Sequence, residues 1–194
     1  MSDHTDGRPR IRDAVAGDRS AIWPFWHEIV AAGETYAWDQ DTDGQAARAL
    51  WTAPGSRVFV VETDPATEAG PAAGAGAAAG AGPATGTGAG AAGAIVASAS
   101  VRPHHGGPAR GVANAGFMVD PAHADRGIDP LAEHVLDEAR RDGYTATVFN
   151  AVVETNPALR LWRSLGFTVL GTVPEAYDHP RRGPVGLHIL HRRL

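Results

Sequence analysis

From Glu68 to Ala94 the chain is almost only alanine and glycine, with a few prolines and threonines. Such a stretch has nothing to bury and the most backbone entropy to lose, so it cannot contribute to a core. It is flanked by Arg57-Val-Phe-Val-Val-Glu62 and Ala94-Ile-Val-Ala-Ser-Ala-Ser-Val101, two runs with the composition of strands. The tract therefore reads as a disordered loop, over 65–94, between neighbouring strands of one sheet. Lengthening a hairpin connection from about 4 to about 30 residues costs only about 1.8 kcal/mol by the logarithmic closure law, which a folded domain tolerates. The fold has to be built from the residues on either side.

Those residues alternate between strand and helix patterns. Ile11–Val15 reads as a first strand, followed by a helix capped by Ser20 in which Ile22, Phe25, Trp26, Ile29 and Val30 recur at helical spacing and which Gly33 closes. Glu34-Thr-Tyr-Ala-Trp-Asp39 is a polar and aromatic loop suited to a substrate lid, and a short helix follows over Gly44–Trp51. In the strand pattern Arg110–Val119, Val112, Asn114, Gly116 and Met118 share one face. Asp129 and Pro130 read as the N-cap and first residue of a helix whose apolar stripe is Leu131, Ala132, Val135, Leu136 and Ala139 and whose end is Gly143. Strands over 144–153, 167–173 and 185–191, with a short helix over 157–165, complete the pattern. The expectation is a single α/β domain, 1–194, with a mixed, splayed central sheet flanked by helices.

Charge and composition narrow the function. Seventeen Lys and Arg against 22 Asp and Glu give a net charge of −5, with no basic block to meet a nucleic acid or an anionic membrane. The absence of cysteine removes thiolate catalysis and thiolate-bound metals. Asp39-Gln-Asp-Thr-Asp-Gly44 starts like a calcium loop but has Leu50 where the twelfth-position Glu should be, and the nine histidines include no HExxH spacing. No metal is expected. The opening, MSDHTDGRPR, has neither the basic flank nor the apolar run of a signal peptide, so a cytoplasmic protein is expected.

Four segments carry the chemistry: Asn114-Ala-Gly-Phe-Met-Val-Asp-Pro121; Asp125-Arg-Gly-Ile-Asp-Pro130, opening a helix; Phe149-Asn-Ala-Val-Val-Glu-Thr-Asn156; and Leu161-Trp-Arg-Ser-Leu-Gly-Phe167. A strand, an Arg-Gly turn and a helix N-terminus aim backbone N–H groups at a pyrophosphate. In this order the segments resemble the GNAT superfamily of acetyl-CoA-dependent N-acetyltransferases. Their wording is most similar to the type that acetylates L-azetidine-2-carboxylate and related cyclic imino acids, enzymes that confer resistance to amino-acid analogues.

The resemblance implies direct attack of a small amine or imino acid on acetyl-CoA. Phe117, Met118 and Val119 would hold the pantetheine arm, Asp125, Arg126, Gly127, Ile128 and Asp129 the pyrophosphate, and Asn156 would add a cofactor contact. Asn114 and Asn150 would position the acceptor, Glu154 would serve as base, and Glu34, Tyr36 and Trp38 would close over the substrate. A homodimer stays open. Against the family's pattern, Ala124 stands at the first turn position, Asp129 replaces the last small residue, and the turn is one residue short. An anion at that helix start opposes a pyrophosphate. The alternative is a protein of the same fold that has lost acetyl-CoA and sequesters a small metabolite or uses its pocket for other chemistry.

Overall fold

The computed structural model describes residues 9–63, 93–124 and 128–194. The loop expected over 65–94 lies outside the described residues except for its last two, and so do Asp125, Arg126 and Gly127. Seven strands form one mixed sheet in the order β1-β2-β3-β4-β5-β7-β6. They are β1 (Arg10–Asp13), β2 (Arg57–Glu62), β3 (Ile95–Pro103), β4 (Val112–Val119), β5 (Ala146–Val153), β6 (Thr168–His179) and β7 (Gly183–Arg193). The helices among the described residues are α1 (Arg19–Ala32), α2 (Gly44–Trp51), α3 (Ile128–Arg141) and α4 (Leu159–Ser164).

Strand alternation sorts side chains to two layers. Phe59, Val61, Ala97, Ala99, Val101 and Ala113 face α3, whose Leu131, Val135 and Ala139 complete that core. Val60 and Met118 face the other way, against Ile22, Phe25, Trp26 and Val30 of α1 and Ala47 and Trp51 of α2. The buried serines of β3 fit this second layer because they are satisfied. Ser98 Oγ accepts the Trp51 indole N–H at 2.9 Å, and Ser100 Oγ donates to the Trp51 carbonyl at 2.7 Å.

Local chemistry departs from the sequence pattern in four places. Ser20 is no cap: it lies inside α1, and its hydroxyl donates to the Gly17 carbonyl at 3.2 Å, because a short 3₁₀ turn at Ala16–Asp18 leads directly into the helix. Asp129 is not an N-cap either, since α3 begins at Ile128 and places Asp129, exposed, within its first turn. The helix expected over 157–165 is trimmed to Leu159–Ser164, because Asn156 Oδ1 accepts the Ala158 N–H at 2.9 Å and holds that segment as a turn. Finally, β6 and β7 continue well past the expected ends into a long hairpin closed over 179–183. β6 accommodates Pro174 because it is an edge strand with a register shift between Val173 and Tyr177. Gly33, by contrast, ends α1 as expected, in the left-handed conformation at φ 64°.

The first turn is tied to the sheet by Arg12, which donates to Asp18 at 2.7 and 2.9 Å and to Glu62 at 2.8 Å. The Arg12 hydrogen bonds hold the Asp18 carboxyl below its ordinary range despite its burial, and the Val15 N–H adds to the effect. Such a group stabilises the fold above the ordinary carboxylate range and ceases to as pH falls through its lowered value. Asp18→Asn is expected to cost about 1–3 kcal/mol at neutral pH. It should also flatten the loss of stability below about pH 4, read by urea titration across pH. An acid limb parallel to that of the unaltered protein would contradict this.

Candidate active site

β4 and β5 are parallel, but their register holds only for Val112↔Ala146 and Ala113↔Thr147. Beyond that the strands diverge, and the first residue past the ladder is Asn114. Its amide Nδ2 donates to the Val148 carbonyl at 2.8 Å and to Asn150 Oδ1 at 3.1 Å, so one side chain closes the vertex where backbone pairing ends. Asn114 Oδ1 and Asn150 Nδ2 are left as an acceptor and a donor at that vertex.

The open edge of β4 is a row of backbone groups. The bonds His104 N–H to Val112 and Asp120 N–H to Val96 set the alternation, which commits even-numbered residues of β4 to β3. The N–H groups of Ala115, Phe117 and Val119 therefore point into the wedge. Phe117 is already engaged: its N–H donates to the Tyr36 hydroxyl at 3.0 Å, and that hydroxyl donates to the Phe117 carbonyl at 2.8 Å. Burial pushes the Tyr36 phenol well above its ordinary value, so it stays protonated at neutral pH.

A cavity of about 590 Å³ fills the wedge and runs through the sheet. Tyr36, Trp38 and Trp51 line it on the α1–α2 side, and Ile128, Ala158 and Trp162 on the α3–α4 side. Asn114, Asn150, Phe117, Met118, Val119 and Asn156 border it as well, so most of the expected site converges on one place. The loop expected as a lid is built in as a wall. Trp38 stacks between Trp26 (5.2 Å) and Tyr36 (4.6 Å), and the Tyr177 hydroxyl donates to the Tyr36 carbonyl at 3.1 Å. Gly116 makes room for this wall, since a Cβ there would lie 3.1 Å from the Trp51 ring.

Three expected residues stand elsewhere. Glu34 pairs with Arg181 at a neighbouring cavity rather than this one. Glu154 is exposed, with its carboxylate over Gly186 of β7, and does not border the wedge. Asp129 does not border it either, whereas its neighbour Ile128 does. Asn156 reaches the cavity, but its side-chain carbonyl is spent on the Ala158 N–H. Asp125, Arg126 and Gly127 fall outside the described residues. Sequence reading missed Arg102, which lines the wedge from β3, and the hairpin residue Tyr177; neither sits in a recognisable motif. Among the described residues, no carboxylate or histidine lines the wedge, and no cluster of three metal-ligating side chains occurs.

The wedge suits an extended amide chain. An unpaired strand edge offers alternating donors to such a chain as it would to another strand, and Phe117, Phe149 and Trp162 supply apolar walls. No helix among the described residues is long and apolar enough to cross a membrane.

Comparison with known proteins agrees with this geometry. A model of the acetyltransferase (GNAT) family matches residues 23–167. A GCN5-related N-acetyltransferase of Kribbella flavida is 42% identical, with a TM-score of 0.78, over 96% of this chain and 98% of that one. The N-acetyltransferase aca1 of Schizosaccharomyces pombe is 38% identical over 78 residues, 39% of this chain and 37% of that protein's length. A phosphinothricin acetyltransferase of Sinorhizobium meliloti, solved in complex with acetyl-CoA, shares the fold with a TM-score of 0.72 at 18% identity, over 96% of this chain and 88% of that one.

The Tyr36 hydroxyl satisfies two backbone groups that the splay would otherwise leave unpaired. Tyr36→Phe is expected to lower stability by about 1–3 kcal/mol, seen as a lower urea midpoint at unchanged slope. A midpoint within error of the unaltered protein would show that this bond does not hold the wedge.

Proposed function

The chain belongs to the acetyltransferase (GNAT) family, and on that footing we propose that it moves the acetyl group of acetyl-CoA to the nitrogen of a small amine or cyclic imino acid. The acceptor class we favour is L-azetidine-2-carboxylate and its relatives, whose acetylation would remove an amino-acid analogue from use. The observation that carries the reading is the wedge itself, where an unpaired edge of β4 meets a pair of asparagine amides.

Acetyl-CoA, when bound, supplies an activated acyl thioester. The chain's own part is positional and electrostatic. The N–H groups of Ala115 and Val119 face the wedge, the one nearer the reacting carbonyl as a preorganised donor and the other as a partner for an amide of the arm. Asn114 Oδ1 accepts a hydrogen from the acceptor nitrogen, and Asn150 Nδ2 donates to the acceptor's polar substituent. Among the described residues, no side chain lining the wedge can act as a base at neutral pH: Tyr36 is held protonated, Trp162 carries an indole that does not titrate, and Glu154 lies outside. The acceptor therefore reacts as the free amine, its proton having left to water.

Two outcomes follow for pH and for the phosphate turn. The rise of kcat/KM with pH should track the acceptor's own ammonium group, moving when a less basic amine is used, and Glu154→Gln should leave it in place. A profile fixed across acceptors would point instead to a protein base. Acetyl-CoA at about 100 times its dissociation constant should add about 2.7 kcal/mol of stability, a clear rise in Tm. Release of CoA thiol with an imino acid should accompany it. Asp129→Gly should tighten acetyl-CoA binding by removing an anion from the first turn of α3. No thermal shift at millimolar acetyl-CoA would favour the reading in which the fold has lost this ligand.

A further inference from the structure

Arg102 is the last arginine of β3 before the turn to β4, and the antiparallel register sets it directly opposite Asn114. This is a hydrogen-bonded pair of the ladder, which places the two side chains on the same face of the sheet about 5.5 Å apart at their Cα atoms. That face is the α1–α2 side, because Ser98 and Ser100, four and two residues earlier in β3, bond Trp51 there. Arg102 is half-buried and lines the wedge together with Trp51, Asn114 and Asn150.

Its guanidinium has no ion-pair partner among the described residues, and the cavity wall offers none. The other arginines near the sheet's cores behave differently: Arg12 bonds Asp18 and Glu62, and Arg57 bonds Asp13, Glu138 and Asp142. A half-buried cation facing a cavity with no carboxylate among its described lining residues calls for an anion from outside. Its charge is felt nearby: burial first, then His105 and Arg102, lower the pKa of His104.

We propose that Arg102 is the specificity-determining residue that reads a carboxylate on the acceptor, next to the nitrogen held at Asn114. The inference rests on the acetyltransferase reading and narrows its acceptors from amines in general to amino and imino acids. The planar fork of the guanidinium matches both oxygens of a carboxylate, a geometry that neither an ester nor an amide reproduces. The acceptor then spans from Asn114 to Arg102 on the α1–α2 face, leaving the α3–α4 face of the wedge to acetyl-CoA. Arg102 forms and breaks no covalent bond in this role. Its contribution is to binding and orientation.

The test pairs L-azetidine-2-carboxylate and L-proline with their carboxamides, following thiol release on full-length protein and, without acetyl-CoA, the tryptophan fluorescence of Trp38, Trp51 and Trp162 that line the cavity. The acids should bind and turn over in preference to the amides. Arg102→Gln should raise KM and the fluorescence Kd for the acids by about tenfold or more. It should leave KM for acetyl-CoA, the amides and the urea midpoint unchanged, with Arg102→Lys recovering part of the loss. Acids and amides used alike, with Arg102→Gln indifferent, would overturn the inference while the transferase reading stands. Thiol release from neither, with Arg102-dependent binding of the acids, would overturn the transferase reading and keep the carboxylate site. Absence of both thiol release and acid binding would overturn the two together.

Discussion

The functional architecture depends on a backbone ladder that stops early. β4 and β5 share two registered pairs and then part, although both strands run on for about six more residues. Parting two central strands inside a sheet exposes N–H and C=O groups that water or protein must satisfy. Here the first orphan, the Val148 carbonyl, is taken by the Asn114 amide, and Phe117 is taken in both directions by the Tyr36 hydroxyl. What remains unpaired on either side of the Phe117 plug, at Ala115 and Val119, is the polar edge that a ligand can use. The wedge is thus kept open by specific side chains and kept wet or ligand-filled by the groups they leave over.

Packing makes the opening rigid. The aromatic wall of Trp26, Trp38, Tyr36 and Trp51 anchors the loop after α1 to the second core, and buried serines on β3 fix Trp51 in turn. On the other face α3 and α4 pack Leu136, Trp162 and Phe167 around Phe149 of β5. β4 is also held by the second core through Met118, while Ala115 and Phe117 reach the cluster around Phe149, so aromatic side chains rather than backbone bonds span the gap between the parted strands. A cavity defined in this way carries little charge, and its chemistry falls to backbone donors and amide side chains. Arg102 is the exception, and its lack of a partner gives it meaning.

Much of this was legible in the sequence because the signals were local or periodic. The stripe Leu131, Ala132, Val135, Leu136 and Ala139 is buried to the last residue, since 3.6-residue spacing has one structural reading when a sheet lies beneath. Asn114 and Asn150 are singled out by the family resemblance, and the structure brings their amides together. What could not be read depended on distant chain segments. Nothing in the loop sequence shows that Tyr36 reaches across 81 positions to Phe117, or that Glu34 is drawn away to Arg181 on a hairpin whose length was itself hidden by Pro174. Glu154 stood in a promising motif, yet it lies just past the end of β5, exposed, with its carboxylate over Gly186 of β7. Arg102 carried no motif at all, and only the register of β3 against β4 reveals its place.

On the reading proposed above, the unpaired edge of β4 receives acetyl-CoA as a strand-like partner. Residue-resolved amide hydrogen exchange, with and without saturating acetyl-CoA, tests it most directly. New protection is expected at Ala115 and Val119, whose N–H groups face the wedge. Gly116 and Met118, already bonded to β3, and Phe117, already bonded to Tyr36, should keep the protection they have. Protection that appears elsewhere on the chain while Ala115 and Val119 exchange as before would contradict it.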